Sequence, residues 1–311
     1  MPEKAAILAA ARQHYRDVES VEFFRDSGSL AYVVSGAERK RFLRVIKPAF
    51  LDVALRSVDI LTYLSANDIP VPRIVPTKEG LSSVKLDLDD EEHLCVLYEY
   101  LEGGEPEPQD MEAVGAAVGR MHRVMKGYNG PLETRDKPFF IGRYLDILEK
   151  KKYPRVDTFR EYGDAVWEKV RGLPRGFCHG DLYKGNVLKT ADETVYILDF
   201  DTACNAFPVY DIALFCNETD YFHFAEDGYD KTRRSVERFL RGYRQHSAIS
   251  DEEIVSIFDL LAVYHFQVQA TVIEIFGLDC VDEAFLDEQL DWLMRWREQC
   301  EREAVTHNAG L

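Results

Sequence analysis

Residues 178–203, CHGDLYKGNVLKTADETVYILDFDTA, place a histidine, an asparagine and several carboxylates on both sides of an apolar run. The run Val195–Leu198 predicts a short buried strand, and Asn186–Leu188 predicts another strand ahead of it. Thr190–Glu193 have the composition of a turn, so the two strands are expected to fold back on each other. Because the start of one hairpin strand lies beside the end of the other, polar side chains at those two ends are expected to reach the same cleft.

The spacing of these polar residues fits phosphoryl transfer. His179-Gly180-Asp181 followed by Asn186 forms the pattern H-x-D-x-x-x-x-N, and Asp199 lies thirteen residues beyond the asparagine. Transfer to an alcohol requires an acceptor for the hydroxyl proton, and Asp181 on a loop suits that role. Transfer also requires Mg²⁺ bridging the phosphates, held by hard oxygen ligands such as Asn186 and Asp199.

The rest of the chain predicts a small strand-rich lobe followed by a larger helical lobe. In the first hundred residues an opening helix is predicted, followed by a hairpin of two strands at 32–34 and 42–46. A helix at 50–66 and a strand at 94–100 are predicted after them. The stretch EGGEPEPQD at 102–110 has the composition of a linker. Helices are predicted beyond it at 110–126, 140–152, 157–171, 250–275 and 282–303. We therefore expect an α+β chain with an N-terminal lobe and hinge at 1–102 and a C-terminal helical lobe at 103–311.

Composition narrows the possible functions. The net charge of −17 argues against a general nucleic-acid binder, which needs a basic surface. The six cysteines are scattered without a CxxC pair, which suits a reducing compartment and disfavours structural zinc. The N-terminal stretch lacks a basic region followed by an apolar core, and no uncharged apolar run has the length of a membrane span. We expect a cytoplasmic protein that does not act at a membrane.

Three short segments together resemble the aminoglycoside phosphotransferase and choline kinase family: HGDLYKGN at 179–186, ILDFD at 197–201 and VYDIA at 209–213. The resemblance implies a bilobal protein-kinase-like fold, ATP and Mg²⁺ as cofactors and a small-molecule acceptor. It implies that Asp181 is the catalytic base and that Asn186 and Asp199 are the magnesium ligands. It also implies that Asp211 anchors the catalytic loop and that His179 orders it.

The same resemblance implies a nucleotide site in the N-terminal lobe. Its implied members belong to a phosphate-covering loop, a strand and the hinge backbone, namely Ser27, Gly28, Ser29, Phe42, Arg44, Glu99 and Leu101. Arg44 falls where the family usually has a phosphate-binding lysine, with Phe42 on the same strand face to cover the adenine. The helix glutamate that normally pairs with that lysine aligns near Ser57, so the usual ion pair is in doubt.

The acceptor site is less clearly marked. Acidic residues that an amine-bearing substrate would contact are Asp201, Glu218, Asp220 and Glu274. Glu218 and Asp220 also fit a solvated helix end. Glu274 is expected on a buried helix, where a carboxylate needs a partner such as an arginine.

The leading hypothesis is an ATP- and Mg²⁺-dependent kinase acting on the hydroxyl of a small amine-bearing molecule, such as an aminoglycoside, choline or a homoserine-like compound. One alternative is a bacterial Ser/Thr protein kinase of the same fold. Another is a catalytically weak nucleotide-binding pseudokinase, motivated by Arg44 and Ser57. Only eleven residues separate Asp199 from Asp211, which argues against control by a phosphorylated activation loop. The chain has no G-x-x-x-x-G-K-[ST] motif, which argues against a Walker-type ATPase.

Overall fold

The computed structural model of the chain describes residues 4–88 and 91–308. Strands dominate the first hundred of these residues and helices dominate from residue 111 onward, which confirms the predicted α+β class. The chain divides into two compact units. The first comprises Met1–Pro106, Arg123–Leu132 and Lys184–Ala203, and the second comprises Glu107–His122, Glu133–Tyr183 and Cys204–Leu311.

The elements of the described residues are numbered in chain order. The strands are β1 (Ser20–Ser27), β2 (Ser29–Ser35), β3 (Lys40–Ile46), β4 (Val84–Leu88), β5 (Glu91–Glu99), β6 (Gly103–Gly104), β7 (Glu133–Thr134), β8 (Gly176–Cys178), β9 (Val187–Thr190), β10 (Val195–Ile197) and β11 (Cys204–Ala206). The α-helices are α1 (Lys4–His14), α2 (Leu51–Ala66), α3 (Met111–Met125), α4 (Arg143–Lys150), α5 (Val156–Val170), α6 (Pro208–Cys216), α7 (Gly228–Tyr243), α8 (Asp251–Phe276) and α9 (Glu283–Asn308).

The first unit contains a five-stranded antiparallel sheet in the order β1-β2-β3-β5-β4. The predicted hairpin is present as β2 and β3, with Tyr32 opposite Leu43. The sequence analysis missed β1. Phe23 and Phe24 are consecutive and both exposed, and a bulge between Phe23 and Arg25 interrupts the alternation by which a strand is recognised.

Helix α1 covers part of this sheet. Ile7, Ala11 and the following Tyr15 are almost fully buried in one apolar cluster with strand residues such as Val34. The Tyr15 hydroxyl donates a hydrogen bond of 3.3 Å to the carbonyl of Cys95, so its polar end is satisfied within the core. The cluster fixes the sheet from which the strand residues of the nucleotide site project.

A second, three-stranded sheet of the first unit has the order β10-β9-β6. The predicted hairpin of the opening stretch is present, with Ile197 opposite Val187. The predicted linker contributes β6 to this sheet. A side chain at Gly103 would place its Cβ 2.4 Å from the carbonyl oxygen of Lys189, so only glycine allows the two backbones to lie this close.

Close helix packing shapes the second unit. A Cβ at Gly115 of α3 would lie 2.0 Å from the carbonyl oxygen of Phe239 on α7. A Cβ at Gly242 of α7 would lie 1.8 Å from the carbonyl oxygen of Glu112 on α3. The small residues of α3 therefore let the two helix backbones approach each other directly.

Helix α8 begins and ends as the sequence predicts. Ser250 is its N-cap and forms a capping box with Glu253, and Gly277 follows its last residue. The apolar residues of α8 point nearly all round, which predicts a buried helix, but its C-terminal end is not buried: Ile275 and Phe276 are about 70% exposed. By length and composition α8 alone among the described helices could cross a membrane. However, 56% of its most apolar window is buried inside the protein, as in a core helix.

Two helix boundaries differ from the prediction. The helix expected at 140–152 begins with a π-helical turn at Pro138–Gly142 and continues as α4 only to Lys150. The last helix, α9, extends to Asn308 rather than ending near residue 303. Both differences lie at helix ends, where apolar periodicity carries little information.

Candidate active site

The loop that follows β8 in the second unit is fixed by one buried carboxylate. Asp211 of α6 is fully buried, and its Oδ2 accepts a hydrogen bond of 2.7 Å from the backbone N–H of His179. Its Oδ1 accepts one of 2.9 Å from the backbone N–H of Gly180 and another of 3.1 Å from the thiol of Cys178. Gly180 has φ +80°, a conformation that strains any residue with a side chain. Glycine is therefore the residue that suits this position of the loop.

Asp211 remains ionised although no water reaches it. Burial raises the pKa of this carboxyl, but hydrogen bonding to His122, the nearby His179 ring and the backbone N–H of Gly180 outweigh burial and lower the pKa below its ordinary value. The Nε2 atom of His122 lies 3.0 Å from Asp211 Oδ2, and its Nδ1 atom lies 2.9 Å from the hydroxyl of Tyr243. His122 is thus a hydrogen-bonded core residue, as expected, and sequence analysis missed its link to Asp211.

Asp181 lies at the end of the loop that Asp211 holds. Its backbone N–H donates a long hydrogen bond of 3.4 Å to Nδ1 of His179, so the histidine ring supports the backbone of the loop. Tyr264 of α8 lies nearby. Burial raises the pKa of the Tyr264 hydroxyl, and the charges of Tyr221, Asp181 and Tyr183 raise it further. Asp181 is partly exposed and so accessible to a substrate.

The two predicted metal ligands lie in the first unit, at neighbouring ends of the β9–β10 hairpin. The backbone N–H of Leu198 donates a hydrogen bond of 2.9 Å to the carbonyl oxygen of Asn186, which brings the segments preceding β9 and following β10 together. Asp199 has a left-handed backbone (φ 59°), and its side chain is 40% exposed. The described residues contain no group of three or more His, Cys, Asp or Glu arranged to hold a metal. One carboxylate and one amide oxygen nevertheless suit Mg²⁺, which in such sites takes its other ligands from phosphates and water.

The first unit also contains a cavity of about 360 Å³. Of the predicted nucleotide-site residues it is lined by Ser29, Phe42, Arg44, Glu99 and Leu101. Asp199 also lines it, so one of the two predicted metal ligands lies in the same cavity as these nucleotide-site residues. Apolar side chains, hinge backbone and two arginines, Arg25 and Arg44, line it. This lining fits a nucleotide, because it offers apolar surface for a base and positive charge for phosphates.

The predicted phosphate-covering loop is the tip of the β1–β2 hairpin. Gly28 is the turn residue, with φ +73°, between Ser27 and Ser29, which pair across the turn. The Ser27 side chain lies outside the described part of the structure. Lys47, three residues after Arg44, pairs with Asp26 at 2.9 Å and does not line the cavity.

Arg44 is held on several sides. Its Nη2 lies 2.6 Å and its Nη1 3.3 Å from the two carboxylate oxygens of Asp201, and its Nε donates to Ser29 Oγ at 3.2 Å. Its Nη1 is also 4.0 Å from Asp199. Burial raises the pKa of Tyr98 on the adjacent strand to about 12, and the Arg44 charge opposes this rise. Arg44 is therefore a partly buried, firmly held cation of the cavity, which Arg25 also lines.

The four predicted acceptor contacts each have a partner of their own. Asp201 pairs with Arg44 in the first unit, and the other three lie in the second. Glu218 accepts a hydrogen bond from Ser235, and Asp220 accepts backbone hydrogen bonds within its own turn. The expectation that Glu274 is buried is wrong. Its side chain is 46% exposed because it lies at the exposed end of α8, where it pairs with Arg143.

Taken with the antiparallel sheet and the helical second unit, an anchored H-G-D loop and a cavity containing an arginine beside an aspartate define a phosphotransferase of the protein-kinase-like class. The chain belongs to the phosphotransferase enzyme family, whose model matches residues 21–257.

Curated relatives include homoserine kinases. The homoserine kinase of Methylobacillus flagellatus is 28% identical over 63% of this chain, and the match spans 60% of that protein. The homoserine kinase of Rhizobium etli is 26% identical over 75% of this chain and 77% of that protein. An uncharacterised protein of Deinococcus radiodurans is 22% identical over 86% of this chain and 81% of that protein.

Solved structures share the fold over nearly the whole chain. The microcompartment-associated aminopropanol kinase has a TM-score of 0.73 at 19% identity, covering 97% of this chain and 98% of that one. Amicoumacin kinase hAmiN in complex with AMP-PNP, Ca²⁺ and Ami has a TM-score of 0.72 at 22% identity, covering 97% and 94%. Spectinomycin phosphotransferase APH(9)-Ia with ADP and spectinomycin has a TM-score of 0.65 at 14% identity, covering 95% and 94%. At these identities the likeness establishes the fold.

Proposed function

We propose that this protein transfers the γ-phosphate of ATP, with Mg²⁺, to the hydroxyl of a small amine-bearing metabolite or drug. The observation that carries the proposal is the burial of Asp211, whose two oxygens hold consecutive backbone N–H groups directly ahead of Asp181. Burying a carboxylate away from water is costly, and here the hydrogen bonds to the loop offset that cost. The same hydrogen bonds hold the loop in one conformation. The loop presents one accessible carboxylate, that of Asp181.

In the proposed reaction Asp181 accepts the proton of the acceptor hydroxyl as its oxygen bonds to the γ-phosphorus. The bond between that phosphorus and the bridging oxygen of ADP breaks at the opposite side, so no phosphoenzyme forms. Asn186 and Asp199 would hold Mg²⁺, which neutralises phosphate charge when bound. Arg44 would contribute a second positive charge, and the backbone of Glu99 and Leu101 would receive the adenine. We propose that the nucleotide-binding lobe extends to the hinge near residue 102.

The surface of α8 supports an amine-bearing acceptor. Tyr264, Gln267, Thr271 and Glu274 lie three or four residues apart, so they share one face of the helix, and each is partly or fully exposed. Arg143 donates to Thr271 at 3.1 Å and pairs with Glu274, so this face carries a positive and a negative charge. Because the charge of Asp181 acts on the Tyr264 hydroxyl, an acceptor at this end of the face would have its hydroxyl near the base. Glu274 lies ten residues, about 15 Å, farther along the helix, so it would receive the ammonium of a large acceptor such as an aminoglycoside.

The relatives suggest which acceptors to test first. Some relatives and structural neighbours of this chain are named for homoserine, aminopropanol, amicoumacin and spectinomycin, all of which carry hydroxyl and amine groups. A panel of homoserine, 1-amino-2-propanol, choline and spectinomycin should therefore be offered with Mg²⁺-ATP to the wild type and to Asp181→Asn. We expect ADP release that depends on one of these acceptors and falls by at least about 100-fold in the variant. ATP binding without acceptor-dependent turnover would instead favour the pseudokinase alternative.

The acceptor surface has its own test once an acceptor is known. Glu274→Gln should raise the KM for a large amine-bearing acceptor and leave the KM for ATP unchanged. Glu168→Gln is the matched control, because Glu168 is also an exposed glutamate paired with an arginine, Arg171, on another helix of the second unit. Equal effects of the two variants would remove Glu274 from the acceptor site.

A further inference from the structure

The cavity of the first unit lacks a carboxylate on its helix side. Ser57 of α2 lines the cavity and is 2% exposed, and its Oγ has no hydrogen-bond partner in the described structure. Asp59, two residues on, accepts a hydrogen bond of 2.5 Å from Tyr128 and does not line the cavity. Neither Ser57 nor Asp59 therefore contacts the Arg44 guanidinium.

The carboxylate that meets Arg44 comes from another part of the chain. Asp201 lies in the single turn Phe200–Thr202 that follows Asp199, and it is 157 residues from Arg44 in sequence. Its two oxygens face the two terminal nitrogens of the guanidinium at 2.6 and 3.3 Å, the side-by-side geometry that only arginine can form. A lysine at position 44 could make only one of these contacts at a time.

We infer that Asp201 is the positioning residue for Arg44, and that this pair replaces a strand lysine and helix glutamate as the phosphate-binding device of the nucleotide site. The inference rests on the proposed function only in taking the cavity ligand to be a nucleotide. It assigns Asp201 to the phosphate side of the reaction instead of to the acceptor.

The geometry leaves Arg44 able to bind an anion. A guanidinium has five N–H groups. One of them donates to Ser29 and two donate to Asp201, so donors remain for an anion in the cavity that Arg44 lines. Because Asp201 follows Asp199 by two residues, the pair also ties β3 to the segment bearing the proposed metal ligand. The Arg44–Asp201 pair thus orients the guanidinium and holds Asp199, the proposed metal ligand, close to β3.

A positioning role and a purely structural role predict different binding results. If Asp201 orients Arg44 toward phosphates, its loss should weaken only ligands that carry phosphates. If the pair merely holds the first unit together, its loss should lower thermal stability and weaken all ligands of the cavity alike. ADP and adenosine distinguish these cases, because both carry the adenine and ribose and only ADP carries phosphates.

The experiment measures ADP and adenosine binding by calorimetry, without acceptor, for the wild type, Asp201→Asn and Glu92→Gln. Glu92 is the matched control because it also pairs with a basic residue, Lys85 at 2.8 Å, but lies at the exposed start of β5 and does not line the cavity. We expect Asp201→Asn to weaken ADP roughly 10- to 100-fold, the range for a charge-assisted contact, and to leave adenosine within about twofold. The control should change neither affinity. Equal losses for ADP and adenosine, or no loss for ADP, would overturn the inference.

A compensating variant tests the replacement itself. Asp201→Asn/Ser57→Glu supplies a carboxylate from the helix side of the cavity, and it should recover ADP affinity relative to Asp201→Asn alone. If the double variant unfolds at the same temperature as Asp201→Asn but binds ADP no more tightly, Asp201 does not take the place of a helix carboxylate. These binding measurements need no turnover, so the inference can hold even if no acceptor in the panel is phosphorylated. If the enzyme is active but binds ADP independently of Asp201, the inference is wrong and the proposed function still stands.

Discussion

Replacing Asp211 with asparagine should remove a large part of the stability of this protein. The carboxylate is fully buried and accepts from four groups, two on each oxygen: Cys178 and Gly180 on Oδ1, and His179 and His122 on Oδ2. An amide of the same shape must place an NH₂ group where one of these oxygens lies. Whichever way the amide points, two buried donors then face another donor.

The cost follows from those two donors. Each buried donor left without an acceptor costs about 1–3 kcal/mol, and breaking a buried charged pair typically costs about 3–5 kcal/mol. We therefore expect Asp211→Asn to lower the free energy of unfolding by about 3–5 kcal/mol. Since a typical domain is stable by about 5–15 kcal/mol, the variant should fold but with a clearly reduced margin.

Urea unfolding followed by circular dichroism provides the measurement, with Asp220→Asn as the matched control. Asp220 also accepts two backbone hydrogen bonds, but its side chain is 55% exposed, so water can replace what the amide loses. The control should lose no more than about 1 kcal/mol. If Asp211→Asn unfolds within 1 kcal/mol of the wild type, or if the two variants lose equal stability, the reasoning about the buried carboxylate is refuted.

Three further predictions concern pH, packing and metal. Because the folded pKa of Asp211 lies below its ordinary 3.8, its stabilisation is present above that pH and is lost as the pH falls through the folded value. The stability gap between the wild type and Asp211→Asn should therefore shrink below about pH 4 in urea titrations, and a constant gap would contradict this. Gly242→Ala should cost at least about 1–3 kcal/mol, because its Cβ would overlap the Glu112 carbonyl, whereas Gly172→Ala, with open space around it, should cost under about 1 kcal/mol in the same assay. Asn186→Ala should weaken ADP binding in the presence of Mg²⁺ but not in its absence, and unchanged affinity in calorimetry with the metal would remove Asn186 from the metal site.

The parts of the fold that depend on neighbouring residues could be predicted from the sequence. The capping box of Ser250 and Glu253 and the hairpin of the opening stretch are set by residues within a few positions of each other. β1 was missed because its bulge removes the alternation that identifies a strand. The register of a bulged strand is fixed by its partner, which sequence periodicity does not report.

In the candidate site, too, the features set by neighbouring residues could be predicted and those set by distant residues could not. The H-G-D loop and Asp199 lie within one short stretch, so their spacing alone suggested their chemistry. The partner of Arg44 lies 157 residues away, and no local pattern links it to Asp201. The exposure of Glu274 depends on which elements cover the end of α8, and this is also a property of the tertiary fold.

The central claim is that the γ-phosphate of ATP passes to an acceptor hydroxyl with Asp181 as the base. Phosphorus-31 NMR of Mg²⁺-ATP and the acceptor panel follows the fate of that phosphate directly, in parallel reactions of the wild type and Asp181→Asn. We predict a new phosphate monoester resonance that grows with ADP in the wild-type reaction and is at least about 100-fold slower to form with the variant. Release of inorganic phosphate alone, or a monoester formed at equal rates by both proteins, would contradict the account.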